Sequence, residues 1–255
     1  MRLLLLLCGW LLSAPVMAGA PIVAAASSLQ FALEEVAQQF TRQTGQALRL
    51  NFGSSGNFRR QIAQGAPFEL FLSADEEYVQ ALYDEGHVDN LGVIYARGRL
   101  AWVQPADRYA LPDEQTPLVG VEEAIAALEK GQRLRIAIAS PEHAPYGVAA
   151  REVLQEAELW EDSEPLRVQG ENVSQAMQFA LSDEARGGLV AYSLAVAPAL
   201  SGRSETVLIP ETWHTPLRQR MVLTPQATRA AHAFYEWLQQ PEAKTIFDTY
   251  GFSTD

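Results

Sequence analysis

Ile22-Val23-Ala24-Ala25-Ala26-Ser27-Ser28-Leu29 is the stretch from which the fold is read. An apolar run suited to the inside of a sheet ends in two serines. The chain then places Leu29, Ala32, Leu33, Val36, Ala37 and Phe40 at i, i+3, i+4, i+7, i+8 and i+11. That spacing is one buried stripe of an α-helix. Gly45 closes the helix as a left-handed cap, and Ala47 to Phe52 is the next strand. The same passage from strand through small polar turn to helix recurs three times. Gly53-Ser54-Ser55-Gly56 opens a helix expected over Asn57 to Gln64. Ser140 through Pro145-Tyr146-Gly147 opens one from near Val148, and Gly170-Glu171-Asn172-Val173 opens one that buries Ala176, Met177, Ala180 and Leu181.

Further strands are expected at Glu69 to Leu72, Leu100 to Val103, Arg135 to Ala139, Leu189 to Ala191, Thr206 to Ile209 and Arg220 to Leu223. Further helices follow Asp75 and span Gly120 to Lys130, Gln226 to Gln239 and Pro241 to Tyr250. Strands that alternate with helices predict an α/β fold with mixed, mostly parallel sheets covered on both faces. In such sheets ligands sit beyond the carboxyl ends of the strands. All four turns lie there, two in the first third of the chain and two in the middle third, which predicts two sheets sharing one ligand in a cleft.

A helix start exposes backbone N–H groups and the positive end of the peptide dipole, so several starts aimed at one point make an anion site. For any single serine, helix capping, worth about 1 kcal/mol, is explanation enough. Two features weaken it: Ser27-Ser28 and Ser54-Ser55 are doubled where one hydroxyl suffices, and Gly53 and Gly56 flank the second pair. Hydroxyl and amide donors give a bound anion roughly 1.5 to 3 kcal/mol each. A few of them reach the roughly −8 kcal/mol of micromolar affinity without a basic side chain. A donor-only pocket suits a fully deprotonated tetrahedral dianion and opposes hydrogen phosphate, whose proton finds no acceptor.

The formal net charge is −12. The chain has no Lys/Arg cluster and is a poor match for nucleic acid or anionic lipid. Met1-Arg2, the apolar Leu3 to Leu12 and Val16-Met17-Ala18 read as a signal peptide over residues 1–18, too short in its apolar part for a membrane span. Its removal takes away Arg2 and no acidic residue, which makes the remainder −13 and directs it to the periplasm. The single cysteine, Cys8, leaves with it, so neither disulfides nor thiol chemistry are expected.

At Ala24 to Leu29, Gly53-Ser54-Ser55-Gly56, Gly65-Ala66-Pro67-Phe68-Glu69-Leu70-Phe71-Leu72-Ser73-Ala74-Asp75, Pro141-Glu142-His143-Ala144-Pro145-Tyr146-Gly147 and Tyr250-Gly251-Phe252, the chain resembles the periplasmic molybdate-binding proteins of ABC transporters. The likeness implies a type II, two-lobed binding protein with a ligand cleft between lobes. The chain crosses near Gly98 and Pro216, so lobe I is 19–98 with 217–255 and lobe II is 99–216. It implies a monomer that binds molybdate, and tungstate, for a membrane permease, with no catalytic residue and no cofactor. Contacts are implied from the Ser27-Ser28 turn, from Ser55 and from backbone amides at Tyr146 and Val173, with Ser54 and Tyr192 as further candidates. The metal enters as an oxyanion through these residues, and no side chain ligates a metal cation. Glu69 stands where an aspartate is common. Tyr192 sits one place later than the ligand tyrosine of many relatives, and a one-residue slip on a strand reverses the face. Packing at the lobe edge is therefore an equal reading for it.

The four histidines are scattered without metal-ligand spacing; His143 is near the third helix start, where it could adjust the site electrostatically. A secreted serine hydrolase is the rival class, but Gly53-Ser54-Ser55-Gly56 lacks the Gly-x-Ser-x-Gly spacing of a nucleophile elbow. Among binding proteins, sulfate is the nearer competitor, while ferric ion needs clustered tyrosines and acidic ligands.

Overall fold

The computed structural model describes residues 19–254, and the expected signal segment 1–18 lies outside the described residues. Strands β1 (Ile22–Ala26), β2 (Arg49–Gly53), β3 (Leu70–Ser73) and β4 (Val93–Gly98) are followed by β5 (Leu100–Pro105), β6 (Arg135–Ala139) and β7 (Arg167–Gly170). β8 (Ala185–Ala191), β9 (Ser204–Leu208) and β10 (Leu217–Leu223) complete them. They form two five-stranded sheets, ordered β2-β1-β3-β10-β4 and β7-β6-β8-β5-β9. β1 pairs in parallel with β2 and β3, and β6 with β7 and β8. β10 runs antiparallel to β3 and β4, and β5 antiparallel to β8 and β9. One strand in each sheet therefore opposes the rest, and it is the strand that follows a crossing. β4 ends at Gly98 in one sheet and β5 begins at Leu100 in the other; the return runs from Leu208 to Leu217.

The helices are α1 (Gln30–Thr44), α2 (Ser55–Ala63), α3 (Glu76–Asp84), α4 (Val119–Glu129), α5 (Pro145–Glu156), α6 (Val173–Ala180), the short α7 (Tyr192–Ala195), α8 (Arg229–Trp237) and α9 (Pro241–Thr249). Side chains alternate across a strand, and the sheets use both faces. Val23, Ala25, Leu70, Leu72 and Met221 face the core containing Leu33 and Phe40 of α1, Phe234 of α8 and Phe247 of α9. Ala24, Phe71 and Val222 face Phe58 and Ile62 of α2 with Val79 and Leu82 of α3. Gly45, at φ 71°, accepts the left-handed turn that ends α1.

Two strands escaped the sequence reading. β4 is an edge strand whose apolar run, Val93 to Ala96, is cut short by Arg97 and Gly98, and β7, Arg167-Val168-Gln169-Gly170, is an edge strand with one large apolar residue. β8 is also longer than its apolar Leu189 to Ala191, because Ala185-Arg186-Gly187-Gly188 is strand too. The glycines there serve packing: a Cβ on Gly187 would strike the buried Trp102 ring, and one on Gly188 would lie 2.9 Å from the Cβ atoms of Ala137 and Ala180. α2 and α5 begin at Ser55 and Pro145, earlier than periodicity indicated, because their first turns are polar or small and carry no stripe.

Candidate functional site

Four turns meet beyond the strand ends: β1 to α1, β2 to α2, β6 to α5 and β7 to α6. They enclose a small hollow, about 10 Å³ open to the centre of a water-sized sphere, lined by Ala26, Ser27, Ser28, Gly53, Ser54, Ser55, Ala144, Pro145, Tyr146 and Val173. That is below the roughly 300–1,000 Å³ of pockets for drug-sized ligands. No charged side chain is in the lining.

The serines do not cap their helices. Ser54 is the N-cap of α2 by backbone conformation, yet its side chain makes no cap bond, and neither the turn Ser27–Leu29 nor the start of α1 has a side-chain cap. Their hydroxyls are engaged elsewhere. Ser55 Oγ accepts from the Ala74 N–H at 3.0 Å, and Ser27 Oγ from the Ser174 N–H at 3.3 Å. Each is left with its own proton to donate. Ser54 Oγ lies 3.0 Å from His143 Nδ1. Ser28 Oγ is buried with no hydrogen-bond partner among the described residues, although the Tyr146 hydroxyl is close enough to be influenced by it. The amides of Tyr146 and Val173 fall in the first turns of α5 and α6, outside the helical ladder. α6 has a true cap in Asn172, whose Oδ1 accepts from Gln175 N at 3.1 Å.

Beneath the hollow a buried chain links the sheets. The Tyr95 hydroxyl donates to Gln219 Oε1 at 2.8 Å, and Gln219 Nε2 donates to the Tyr146 hydroxyl at 3.3 Å. Burial holds the Tyr146 phenol well above its ordinary pKa, offset in part by Ser28, Gln219, Arg99 and Ser193. A Cβ on Gly98 would collide with that hydroxyl, so the crossing strand can reach Tyr146 only as glycine. Ser193 Oγ donates to Ser28 O at 2.8 Å, and Ser174 Oγ to Ser27 O at 2.9 Å, which ties the first turn to α7 and α6.

Tyr192 is not brought to the hollow. It opens α7, its amide donates to Arg99 O at 2.9 Å, and the Arg99 guanidinium sits 4.6 Å from its ring centroid. Its ring packs against Arg99 and Gly251, and Tyr192 is not among the residues that line the hollow. Gln219, Tyr95, Ser174 and Ser193 were missed by sequence reasoning; the bonds that tie them to the site span over seventy residues and left no local signal. His143 reaches the rim through Ser54 and lies outside the lining.

A family model described as bacterial extracellular solute-binding protein matches residues 22–253. This chain belongs to that family. Among its solute-binding relatives, the molybdate-binding protein ModA of Rhodobacter capsulatus is 36% identical over 247 residues, covering 96% of this chain and 92% of that protein. The molybdate-binding protein ModA of Escherichia coli is 32% identical, covering 91% and 88%. The solved periplasmic molybdate-binding protein of Azotobacter vinelandii superposes with a TM-score of 0.81 at 29% identity, covering 92% of this chain and 99% of that one. The expected solute-binding fold, two mixed sheets with helices on both faces, is the fold observed. Among the described residues no helix is long and apolar enough to cross a membrane, and no group of three or more His, Cys, Asp or Glu is arranged to hold a metal ion.

Proposed function

We propose that this chain is a periplasmic receptor that closes on one molybdate or tungstate ion and delivers it to the membrane permease of an ABC importer. The observation that carries the reading is the small, uncharged hollow walled by helix starts from both sheets. Lobe I comprises 19–98 and 217–255, and lobe II comprises 99–216. The anion takes hydroxyl protons from Ser27, Ser28 and Ser55 and amide protons at Tyr146 and Val173, with Ser54 at the rim. Ser27 and Ser55 already accept backbone N–H bonds, so each keeps its own proton to donate to an incoming acceptor. The relatives named for molybdate support this choice among tetrahedral dianions. Calorimetry with molybdate, tungstate, sulfate and phosphate tests it: the first two bind at micromolar strength or tighter, and sulfate binding as tightly as molybdate removes the assignment.

The protein acts as a monomeric binder without catalysis. Ser54, His143 and Glu171 do stand in the order of nucleophile, base and carboxylate. His143 Nε2 and Glu171 Oε1, however, are 3.8 Å apart, beyond a hydrogen bond, and the hollow is tight around a small anion. Purified protein is expected to leave p-nitrophenyl acetate intact; hydrolysis lost on Ser54→Ala would restore the hydrolase reading.

A further inference from the structure

We propose that His143 is a positioning residue, a clasp that fastens the start of α2 to the opposite rim of the cleft and sets how slowly the captured anion leaves. The inference rests on the molybdate-capture reading above.

Three bonds converge at this rim. The Gly56 N–H donates to the His143 carbonyl at 2.9 Å, His143 Nδ1 lies 3.0 Å from Ser54 Oγ, and Asn57 Nδ2 donates to Glu171 Oε1 at 2.9 Å. Residues 54 to 57 lead from β2 of the first sheet; residues 143 and 171 follow β6 and β7 of the second. The close approach is built into the sequence. A Cβ on Gly56 would stand 2.7 Å from the His143 carbonyl oxygen and 3.0 Å from its Cα, so Gly56 makes room for the histidine backbone.

The imidazole is bonded on one side and enclosed on the other. Its side chain is only 11% exposed, with Ser54 at Nδ1 and the Glu171 carboxylate 3.8 Å from Nε2. Arg60 donates to Asn57 Oδ1, which turns the Asn57 amide nitrogen toward Glu171. Of these groups only Ser54 lines the hollow. His143 therefore acts through Ser54 and through closure, and does not touch the anion. Opening the cleft must break these bonds together, whereas encounter takes place before they form. The clasp accordingly acts on the dissociation rate, where most affinity differences between related complexes lie.

Stopped-flow fluorescence with sodium molybdate tests the clasp on the wild type, His143→Leu and His143→Asn, alongside thermal melts. The expected result is release about tenfold faster from His143→Leu with association little changed, the equivalent of one hydrogen bond. His143→Asn, which keeps a polar atom near the Nδ1 position, returns most of the slow release. Unchanged release from His143→Leu in a protein that binds molybdate overturns the clasp and leaves the receptor reading standing. Equally fast release from both variants, or association and release altered alike with a lowered melting temperature, assigns the effect to packing and also overturns it. Failure of the wild type to bind molybdate or tungstate removes the receptor reading, and the clasp with it.

Discussion

Ser55 Oγ accepts a hydrogen bond from the Ala74 N–H at 3.0 Å, so the hydroxyl that heads α2 is fixed by the turn after β3 and keeps its proton for the hollow. Ser55→Ala deletes that donor and also leaves the Ala74 amide without its acceptor. A hydrogen bond to a charged group is worth roughly 1.5 to 3 kcal/mol, so molybdate affinity is expected to fall about 10- to 100-fold. Calorimetry reads this directly, and an unaltered dissociation constant contradicts the assigned contact.

Ser28 separates binding from stability. Its Oγ is buried without a partner among the described residues, a cost the folded protein carries until an acceptor arrives. Ser28→Ala should therefore leave the stability of the anion-free protein unchanged or raised by up to about 1 kcal/mol, read from its melting curve, while weakening molybdate binding. A loss of stability without loss of affinity would assign Ser28 to the scaffold.

Tyr95 and Tyr146, joined through Gln219, give the protein an alkaline limit. Burial raises both phenols above the ordinary value of 10.0. Both stay neutral in the fold but ionise near 10 once unfolded. Their contribution is thus intact below pH 10 and is lost as the pH climbs from there toward the folded values. Melting curves should drop above pH 10, and less steeply in Tyr146→Phe. At neutral pH the same variant should lose about 1 kcal/mol of stability, the Gln219 bond. Molybdate affinity should stay within about threefold, since the contact proposed at Tyr146 is its backbone amide. A large affinity loss would make the hydroxyl a ligand.

Arg186 is buried in the second sheet, bonded to Glu123 Oε2 at 2.8 and 2.9 Å and to Gln104 Oε1 at 2.6 Å, with its guanidinium 4.3 Å from the Tyr109 ring centroid. Glu123→Gln removes the countercharge. Breaking a fully buried pair costs about 3 to 5 kcal/mol, but the Glu123 side chain is 51% exposed and partly screened, so roughly 2 kcal/mol is expected. Urea titration should show this loss with molybdate affinity retained. No change in midpoint would mean that Gln104 and Ala110 O suffice for the guanidinium.

Periodicity located the strands and helices whose burial is continuous, such as Ile22–Ala26 and the stripe of Leu29 to Phe40, because a buried face leaves a regular apolar mark. It passed over the edge strands β4 and β7 and the glycine-rich start of β8, where Gly187 leaves room for the Trp102 ring instead of adding an apolar mark of its own. The doubled serines and flanking glycines were legible as donors at helix starts. Their division of labour was not: Ser55 is set by Ala74, Ser27 by Ser174 and Ser54 by His143, and Gly56 answers to the backbone of His143.

By itself, then, the sequence determined the alternation of strand and helix and the chemical character of the turns, since both depend on residue type and on spacing within about a dozen positions. Only the tertiary structure decided which hydroxyls keep a proton to give, that Tyr192 stacks on Arg99 instead of joining the hollow, and that His143 meets Ser54 across 89 residues of chain. A hydrogen bond requires its partners within about 3 Å in a defined direction. Two sheets connected by crossing strands fix that distance between residues whose separation along the chain carries no trace of it.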